Sequence, residues 1–133
     1  MLWEDVRAYV SANFKVVSNQ ERNIVAWVRI DDGPDLAFLF SYLEYNGFRW
    51  LTLSARIGSI GQNAYQRLVG SKDLSPNGGF DVLNGEVWLR NVYPISDVMK
   101  DSPSGAVYGN ELSHCVYALA SDAQYILRDV AGR

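Results

Sequence analysis

The chain has 133 residues, a formal net charge of −3, 48% hydrophobic residues and one cysteine. This length and composition predict a single soluble domain over residues 1–133 with a sizeable buried core. Basic residues are scattered, so no patch of the kind that binds nucleic acid is present, and no apolar run is long enough for a transmembrane helix. The single cysteine excludes an internal disulfide and fits a cytoplasmic location, and the acidic N-terminus does not resemble a secretory signal.

The N-terminal segment has apolar residues at helical spacing. Leu2, Val6, Val10 and Phe14 recur every four residues, and acidic residues occupy the first turn. Because the helix dipole favours acidic groups at the N-terminal end of a helix, the pattern predicts a helix over residues 2–14. We expect Lys15–Ser18 to be extended and the polar residues after it to form a turn.

Two β-rich segments joined by Asn46-Gly47 give the strongest structural signal in the chain. An Asn-Gly pair favours a type I′ turn, in which both residues have positive φ, and this predicts a hairpin over Leu36–Ile57. The turn fixes the register and places Glu44 opposite Arg49, where we expect an ion pair. The face of this hairpin that we assign to the core contains Leu36, Phe38, Phe40, Tyr42, Leu51, Leu53, Ala55 and Ile57.

A preceding strand is predicted over Ile24–Ile30 from its β-branched residues. The loop Asp31–Asp35 then leads into the hairpin, and we expect Ile30 to pair with Leu36. This register keeps the apolar residues of both strands on the same face, whereas a slip of one residue would reverse them. The expected pairs are Val28–Phe38, Ala26–Phe40 and Ile24–Tyr42.

The second half of the chain continues with helices and one more hairpin. The order α-β-β-β-α-β-β-α predicts an α+β fold in which helices cover one face of an antiparallel sheet. We predict a helix over Ser59–Val69, a loop over Ser71–Gly79, a hairpin over Phe80–Arg90 with its turn at Asn84-Gly85, a helical turn over Ile95–Met99, a break at Ser102–Gly105 and a last helix over Ala106–Val130. The apolar stripe of that last helix contains Tyr108, Leu112, Cys115, Val116, Leu119, Ala123, Ile126, Leu127 and Val130.

The sheet face away from the helices is the predicted contact surface. One interpretation is that a helix of the same subunit covers this face. The other is that a partner covers it, because exposed apolar patches with tryptophan and tyrosine residues are typical of protein contacts. The residues assigned to the face are Val25, Trp27, Leu39, Leu43, Tyr45, Phe48, Trp50 and Trp88.

The residues that could take part in catalysis or ligand binding form no catalytic or metal-binding set. His114 and Cys115 are neighbours on a helix, so their side chains diverge; Cys115 is interpreted as a small core residue and His114 as a residue at the helix edge. The segment Asp31–Asp35 lacks the ligand spacing of a calcium loop and is interpreted as a turn. Gly58–Gly61 precedes a helix and could hold an anion, but lacks a phosphate-loop pattern. Phe48-Arg49-Trp50 is faintly like an RNA-stacking strand, without the rest of that motif.

The second hairpin carries a resemblance to a known family. The segment Gly79–Arg90, followed by Tyr93-Pro94-Ile95, resembles the YbjN family's pattern of Gly-x-Phe, turn, strand and Pro-hydrophobic, and the helix around Ala120–Ala123 is similar too. The order of elements is that of the type III secretion chaperone-like fold. The resemblance implies a small bacterial cytoplasmic protein, often dimeric, described as a sensory transduction regulator or as chaperone-like, with no catalytic residues. Secretion chaperones of this fold are acidic homodimers that hold an extended segment of a client protein.

We therefore expect a non-enzymatic, chaperone-like protein-binding domain without a cofactor or metal. Its expected partners are a second copy of the chain and an unidentified client protein, with neither nucleic acid nor membrane bound. The alternative is a regulatory domain that senses a small ligand between helix and sheet in a signalling pathway. An enzyme is the weakest interpretation, because a nucleophile–base pair, a metal set and a cofactor loop are all missing from the sequence.

Overall fold

The computed structural model describes residues 2–59, 61–62, 66, 79–98 and 109–130. In these residues an antiparallel sheet packs with helices, which confirms the α+β class. The strands are β1 (Lys15–Asn19), β2 (Asn23–Val28), β3 (Leu36–Tyr45), β4 (Phe48–Gly58), β5 (Gly79–Leu83) and β6 (Glu86–Pro94), in the spatial order β1-β2-β3-β4-β6-β5. The helices are α1 (Leu2–Asn13), α2 (Ile95–Val98) and α3 (Gly109–Tyr125), which continues as a π-helical segment over Ile126–Val130.

Some predicted elements lie wholly or largely outside the described residues. These are the helix predicted over Ser59–Val69, the loop over Ser71–Gly79, the break at Ser102–Gly105 and the first residues of the last helix. The extended segment predicted after α1 is confirmed as the edge strand β1, so four strands precede β5 in the chain. No helix in the described part of the chain is long and apolar enough to cross a membrane.

Both Asn-Gly turns have the predicted geometry. The φ angles are 54° at Asn46 and 77° at Gly47, and 53° at Asn84 and 79° at Gly85. Positive φ at both central residues is what a type I′ turn requires. The predicted registers are confirmed on either side of these turns, from Tyr45↔Phe48 to Phe38↔Ala55 in β3–β4 and from Leu83↔Glu86 to Phe80↔Leu89 in β5–β6.

The predicted register between β2 and β3 is wrong by two residues. β2 ends at Val28, and Arg29 and Ile30 belong to the loop, where the Gly33 amide donates a hydrogen bond to the Ile30 carbonyl at 3.0 Å. A longer loop moves each pair by two positions, which leaves every side chain on its predicted face because the side-chain period of a strand is two. The observed pairs are Val28↔Leu36, Ala26↔Phe38 and Ile24↔Phe40.

The core lies between the helices and one face of the sheet. Val6 and Val10 of α1 are buried. In the apolar stripe predicted for the last helix, Cys115 and Leu127 are partly buried, the side chains of Tyr108 and Val130 lie outside the described residues, and the other five residues are buried. The sheet contributes Ile24, Ala26, Val28, Leu36, Phe38, Phe40, Leu51, Leu53, Ala55, Ile57, Val87 and Leu89, and α3 with its π-helical extension contributes Leu112, Val116, Leu119, Ala120, Ala123 and Ile126.

Trp3 is a core residue that the helical pattern did not identify. Its indole nitrogen donates a hydrogen bond to the Glu21 carbonyl at 2.7 Å, and its ring stacks on Tyr42 with centroids 5.7 Å apart. Arg7 lies over the same indole and donates to the same carbonyl at 2.6 Å. These contacts attach the N-terminal half of α1 to the β1–β2 turn and to β3.

Candidate functional site

The sheet face opposite the helices carries all eight side chains predicted for it. Side chains alternate between the two faces along each strand, and residues that pair across neighbouring strands lie on the same face. The observed pairs therefore place all eight residues on one face. Four of the eight are exposed, with relative accessibilities of 41% for Trp27, 49% for Leu43, 64% for Tyr45 and 63% for Phe48. The other four, Val25, Leu39, Trp50 and Trp88, are partly buried.

The exposed apolar side chains concentrate at the turn end of the β3–β4 hairpin. We call Leu43, Tyr45, Phe48, Trp50 and Val92 the aromatic patch. Leu43 pairs with Trp50 and Tyr45 with Phe48, and the Phe48 and Trp50 rings lie 6.2 Å apart. A shallow concavity of about 250 Å³ crosses the patch between β3, β4 and β6.

Val92 belongs to this surface although the sequence analysis did not assign it. It is 41% exposed and pairs with Thr52 of β4, so it lies on the same face as Trp50. The predicted hairpin ended at Arg90, whereas β6 continues to Pro94. Extending the alternation of Trp88 and Arg90 by one further step would have placed Val92 on the outward face.

Trp88 lies in a different, charged part of the outward face. Arg56 and Glu86 form an ion pair between β4 and β6, and Arg90 pairs with Asp81 of β5 at 3.2 Å. Trp88 is opposite Arg56 in one register and opposite Asp81 in the other, so both ion pairs flank its ring. The predicted residue Trp88 is therefore separated from the aromatic patch by side chains that already have charged partners.

The β2 side of the face is also distinct from the aromatic patch. Val25 pairs with Leu39, which pairs with Ser54 on the next strand. Ser54 is buried, whereas Trp27 is exposed. The outward face therefore contains two separated exposed apolar regions, one around Trp27 and the larger one at the aromatic patch.

A second concavity lies at the end of the sheet beside the aromatic patch. Its volume is about 560 Å³, which falls within the range of ligand-binding pockets. Among the described residues it is lined by the Asn46-Gly47 turn end of β4 and by the junction of β6 with α2, through Gly47, Phe48, Arg49, Trp50, Pro94, Ile95 and Ser96.

The predicted ion pair between Glu44 and Arg49 is wrong. The two residues are opposite each other, but no salt bridge joins them in the described part of the chain. The Glu44 carboxylate instead accepts a hydrogen bond from the Tyr42 hydroxyl at 2.6 Å. This hydrogen bond raises the pKa of Tyr42, because it stabilises the protonated hydroxyl.

His114 and Cys115 have different surroundings, as their helical spacing predicts. His114 is exposed, whereas Cys115 is partly buried beside the core. Burial raises the pKa of the Cys115 thiol, although a hydrogen bond with the Tyr93 hydroxyl lowers it. Asn91 donates to that hydroxyl at 2.7 Å, and burial raises the pKa of Tyr93. A thiol that stays protonated at neutral pH is a poor nucleophile.

The acidic loop between β2 and β3 has the geometry of a turn. Asp31 has a φ angle of 49°, and the Arg29 guanidinium binds both carboxylate oxygens of Asp35, at 3.0 and 3.2 Å. The Asp35 carboxylate therefore already has a cationic partner from its own loop. Among the described residues there is no group of three or more histidine, cysteine or acidic side chains suited to a metal ion.

Comparison with known proteins adds no relative from which a function could be transferred. No protein-family model matches the chain. A search of curated proteins likewise finds no matching sequence. The predicted membership of the YbjN family therefore stays a prediction.

Proposed function

We propose that the chain is a non-enzymatic, chaperone-like protein-binding domain that forms a homodimer in the cytoplasm and engages an extended segment of a client protein. The observation that carries the proposal is the exposed apolar character of the outward sheet face, with Trp27, Leu43, Tyr45 and Phe48 each between 41% and 64% accessible. Exposed apolar patches such as the one formed by Leu43, Tyr45 and Phe48 are typical of protein contact sites. The resemblance of the second hairpin to the YbjN family supports the same function, and we propose that the chain belongs to that family.

The chemistry of the exposed side chains favours a protein partner. Tryptophan, tyrosine and phenylalanine bury a large area for the loss of only two side-chain torsions, which is why they recur as anchors in protein interfaces. They lie on strands of a sheet rather than on loops, so their positions are held by the backbone ladder. An extended client segment could lie across such a face with alternate side chains between the rings.

Comparative capture from the native host tests client binding. The tagged chain is compared with Trp27→Ser and Trp50→Ser, and with Tyr117→Ser as a matched control, because Tyr117 is an aromatic residue of α3 that is 52% exposed. We expect specific proteins to be captured by the original chain and by the Tyr117 variant, and to be lost from the two tryptophan variants. Identical sets of captured proteins for all four chains would contradict the proposal.

Circular dichroism separates loss of binding from loss of folding. If Trp27→Ser and Trp50→Ser unfold the protein, Tyr45→Ser replaces them, since Tyr45 is the most exposed of the predicted residues at 64%. A folded Tyr45 variant that retains every client would contradict a role for the aromatic patch in client binding.

The concavity of about 560 Å³ supports the alternative of a regulatory domain that senses a small ligand. It lies between the end of the sheet and α2, and its described lining combines the aromatic rings of Phe48 and Trp50 with Ile95. Native mass spectrometry of the purified chain tests this alternative. A small molecule that is bound at stoichiometric amount and lost from Ile95→Trp would favour it; a ligand-free mass would count against it.

A further inference from the structure

We propose that the concavity of about 560 Å³ at the end of the sheet binds a small carboxylic acid with an apolar or aromatic body. The carboxylate binds the Arg49 guanidinium, and the body packs against Phe48, Trp50 and Ile95. This inference rests on the ligand-sensing alternative of the proposed function and names the class of ligand. It does not depend on client binding.

The concavity lies where the turn end of β4 meets the junction of β6 with α2. Phe48 and Trp50, whose rings lie 6.2 Å apart, belong to β4. On the other side, β6 ends at Pro94, which pairs with Trp50, and α2 begins with the buried residue Ile95. The described walls are therefore held by the sheet and by the core. Their volume falls within the range of about 300–1,000 Å³ that small-molecule sites occupy.

Arg49 is the one charged side chain in the described lining of the concavity. Its guanidinium forms no ion pair with another residue in the described part of the chain. Glu44 lies opposite Arg49, but its carboxylate accepts the Tyr42 hydroxyl proton at 2.6 Å instead. The described arginines that do bind carboxylates of this chain are Arg7, Arg29, Arg56 and Arg90. Arg49 therefore keeps its donors available for a ligand.

The combination of one guanidinium with aromatic and aliphatic walls selects the class of ligand. The planar guanidinium matches the two oxygens of a carboxylate, which it can bind through two parallel hydrogen bonds. A phosphate monoester carries about 1.5–2 negative charges at pH 7, and its second charge would lie near the Glu44 carboxylate. A cation could stack on Phe48 or Trp50, but the positive charge of Arg49 would repel it. A single carboxylate on an apolar body satisfies both parts of the lining.

Calorimetric titration with matched acids and amides tests the inference. The probes are indole-3-acetate, 3-phenylpropionate and octanoate, which share a carboxylate and differ in the apolar body, and the amide of each acid. We expect at least one acid to bind at least about tenfold more tightly than its amide, because hydrogen bonds between charged partners are stronger than neutral ones. Added salt should weaken binding of the acid and leave the amide unchanged, since Arg49 is exposed and salt screens exposed charges.

Variants of Arg49 identify the group that binds the carboxylate. Arg49→Gln should lower the affinity for the acid to that for its amide, because the charge is removed. Arg49→Lys should retain part of the preference, since lysine keeps the charge but not the planar pair of donors. Arg29→Gln is the matched control: Arg29 is an exposed arginine of the β2–β3 loop, outside the concavity, and its variant should bind the acid as the original chain does.

Three outcomes would overturn the inference: no acid binds at millimolar concentration, acids and amides bind equally, or Arg49→Gln keeps the preference for the acid. Should circular dichroism show that Arg49→Gln is unfolded, Ser96→Trp replaces it, because Ser96 is an exposed residue of the lining and a large side chain there fills the concavity. This variant should bind none of the acids, and undiminished binding would overturn the inference.

The same titrations separate this inference from the functions on which it borders. Acids and amides that bind equally, and are both lost from Ser96→Trp, overturn the ligand class and leave the ligand-sensing alternative standing. A chain that captures clients but binds no acid overturns this inference and leaves client binding standing. A chain that binds acids through Arg49 but captures no client supports this inference and overturns client binding alone.

Discussion

The assignment of strand faces can be tested with the same substitution at two leucines of one hairpin. Leu53 lies on β4, is fully buried, and pairs with Phe40 on one side and Asn91 on the other. Leu43 lies on β3 and is 49% exposed on the opposite face. Leu→Ala at both positions removes the same atoms, so the difference in unfolding free energy reports the environment alone.

We expect Leu53→Ala to lower the free energy of unfolding by about 3–5 kcal/mol, the upper part of the range for a buried leucine. β4 is paired on both sides, so the backbone around Leu53 has little freedom to collapse into the cavity. Leu43→Ala should cost less than about 1 kcal/mol, because no enclosed cavity forms at an exposed position.

Urea unfolding followed by circular dichroism measures both values. With a slope of about 2 kcal/mol per molar urea, Leu53→Ala should move the midpoint by roughly 1.5–2.5 M, and Leu43→Ala by less than about 0.5 M. All chains are compared at one protein concentration, since a dimer adds a concentration-dependent contribution to apparent stability. Equal costs at the two positions would refute the assignment of the faces.

Three further predictions concern a turn, an ion pair and the cysteine. Gly47→Ala should destabilise the chain by about 1–2 kcal/mol, because φ is +77° at this residue. Gly79→Ala should be nearly neutral, because an added Cβ there meets no other atom. Thermal unfolding compares the two variants, and equal effects would contradict the turn geometry. Arg29→Ala should lower the free energy of unfolding by less than about 1 kcal/mol, because the ion pair with Asp35 that it breaks is exposed. Urea unfolding in high salt should show no difference from the original chain, since salt screens exposed charges. A large loss that persists in high salt would contradict a role limited to this ion pair. Alkylation of Cys115 should reach its half-maximal rate at a higher pH than alkylation of an unperturbed thiol, because a raised pKa leaves less thiolate at each pH. Tyr93→Phe should move this pH profile higher still, because it removes the hydrogen bond that lowers the pKa of the thiol. A move of the profile to lower pH would contradict the contact between Tyr93 and Cys115.

The elements that the sequence predicted best are those governed by local chemistry. Asn46-Gly47 and Asn84-Gly85 each require a turn with positive φ at both residues, and a two-residue turn leaves one register for its strands. The outward positions of Tyr45, Phe48 and Trp50 follow from that register. The α+β class follows in turn, because the apolar face of the hairpins must be covered by the amphipathic helices.

The predictions that failed depended on contacts between distant or competing side chains. The length of the loop after β2 could not be predicted from the sequence. Ile30 continues the apolar pattern of the strand, but its carbonyl accepts a hydrogen bond from the Gly33 amide within the loop. Glu44 had two candidate partners, and the Tyr42 hydroxyl, rather than the Arg49 guanidinium, is the one that it binds. Trp3 is buried because the Glu21 carbonyl accepts its indole proton, a contact between segments that no helical period reveals.

The irregular edge strand β1 bears on how the protein behaves when it is crowded. Its pairing with β2 shifts between Val16 and Ser18, and the intervening Val17 is exposed. Such a bulge interrupts the row of backbone donors and acceptors that an incoming strand would need, so this edge is a poor template for fibril growth. The exposed aromatic rings on the sheet face are therefore not accompanied, at the β1 edge, by a regular strand on which further chains could stack.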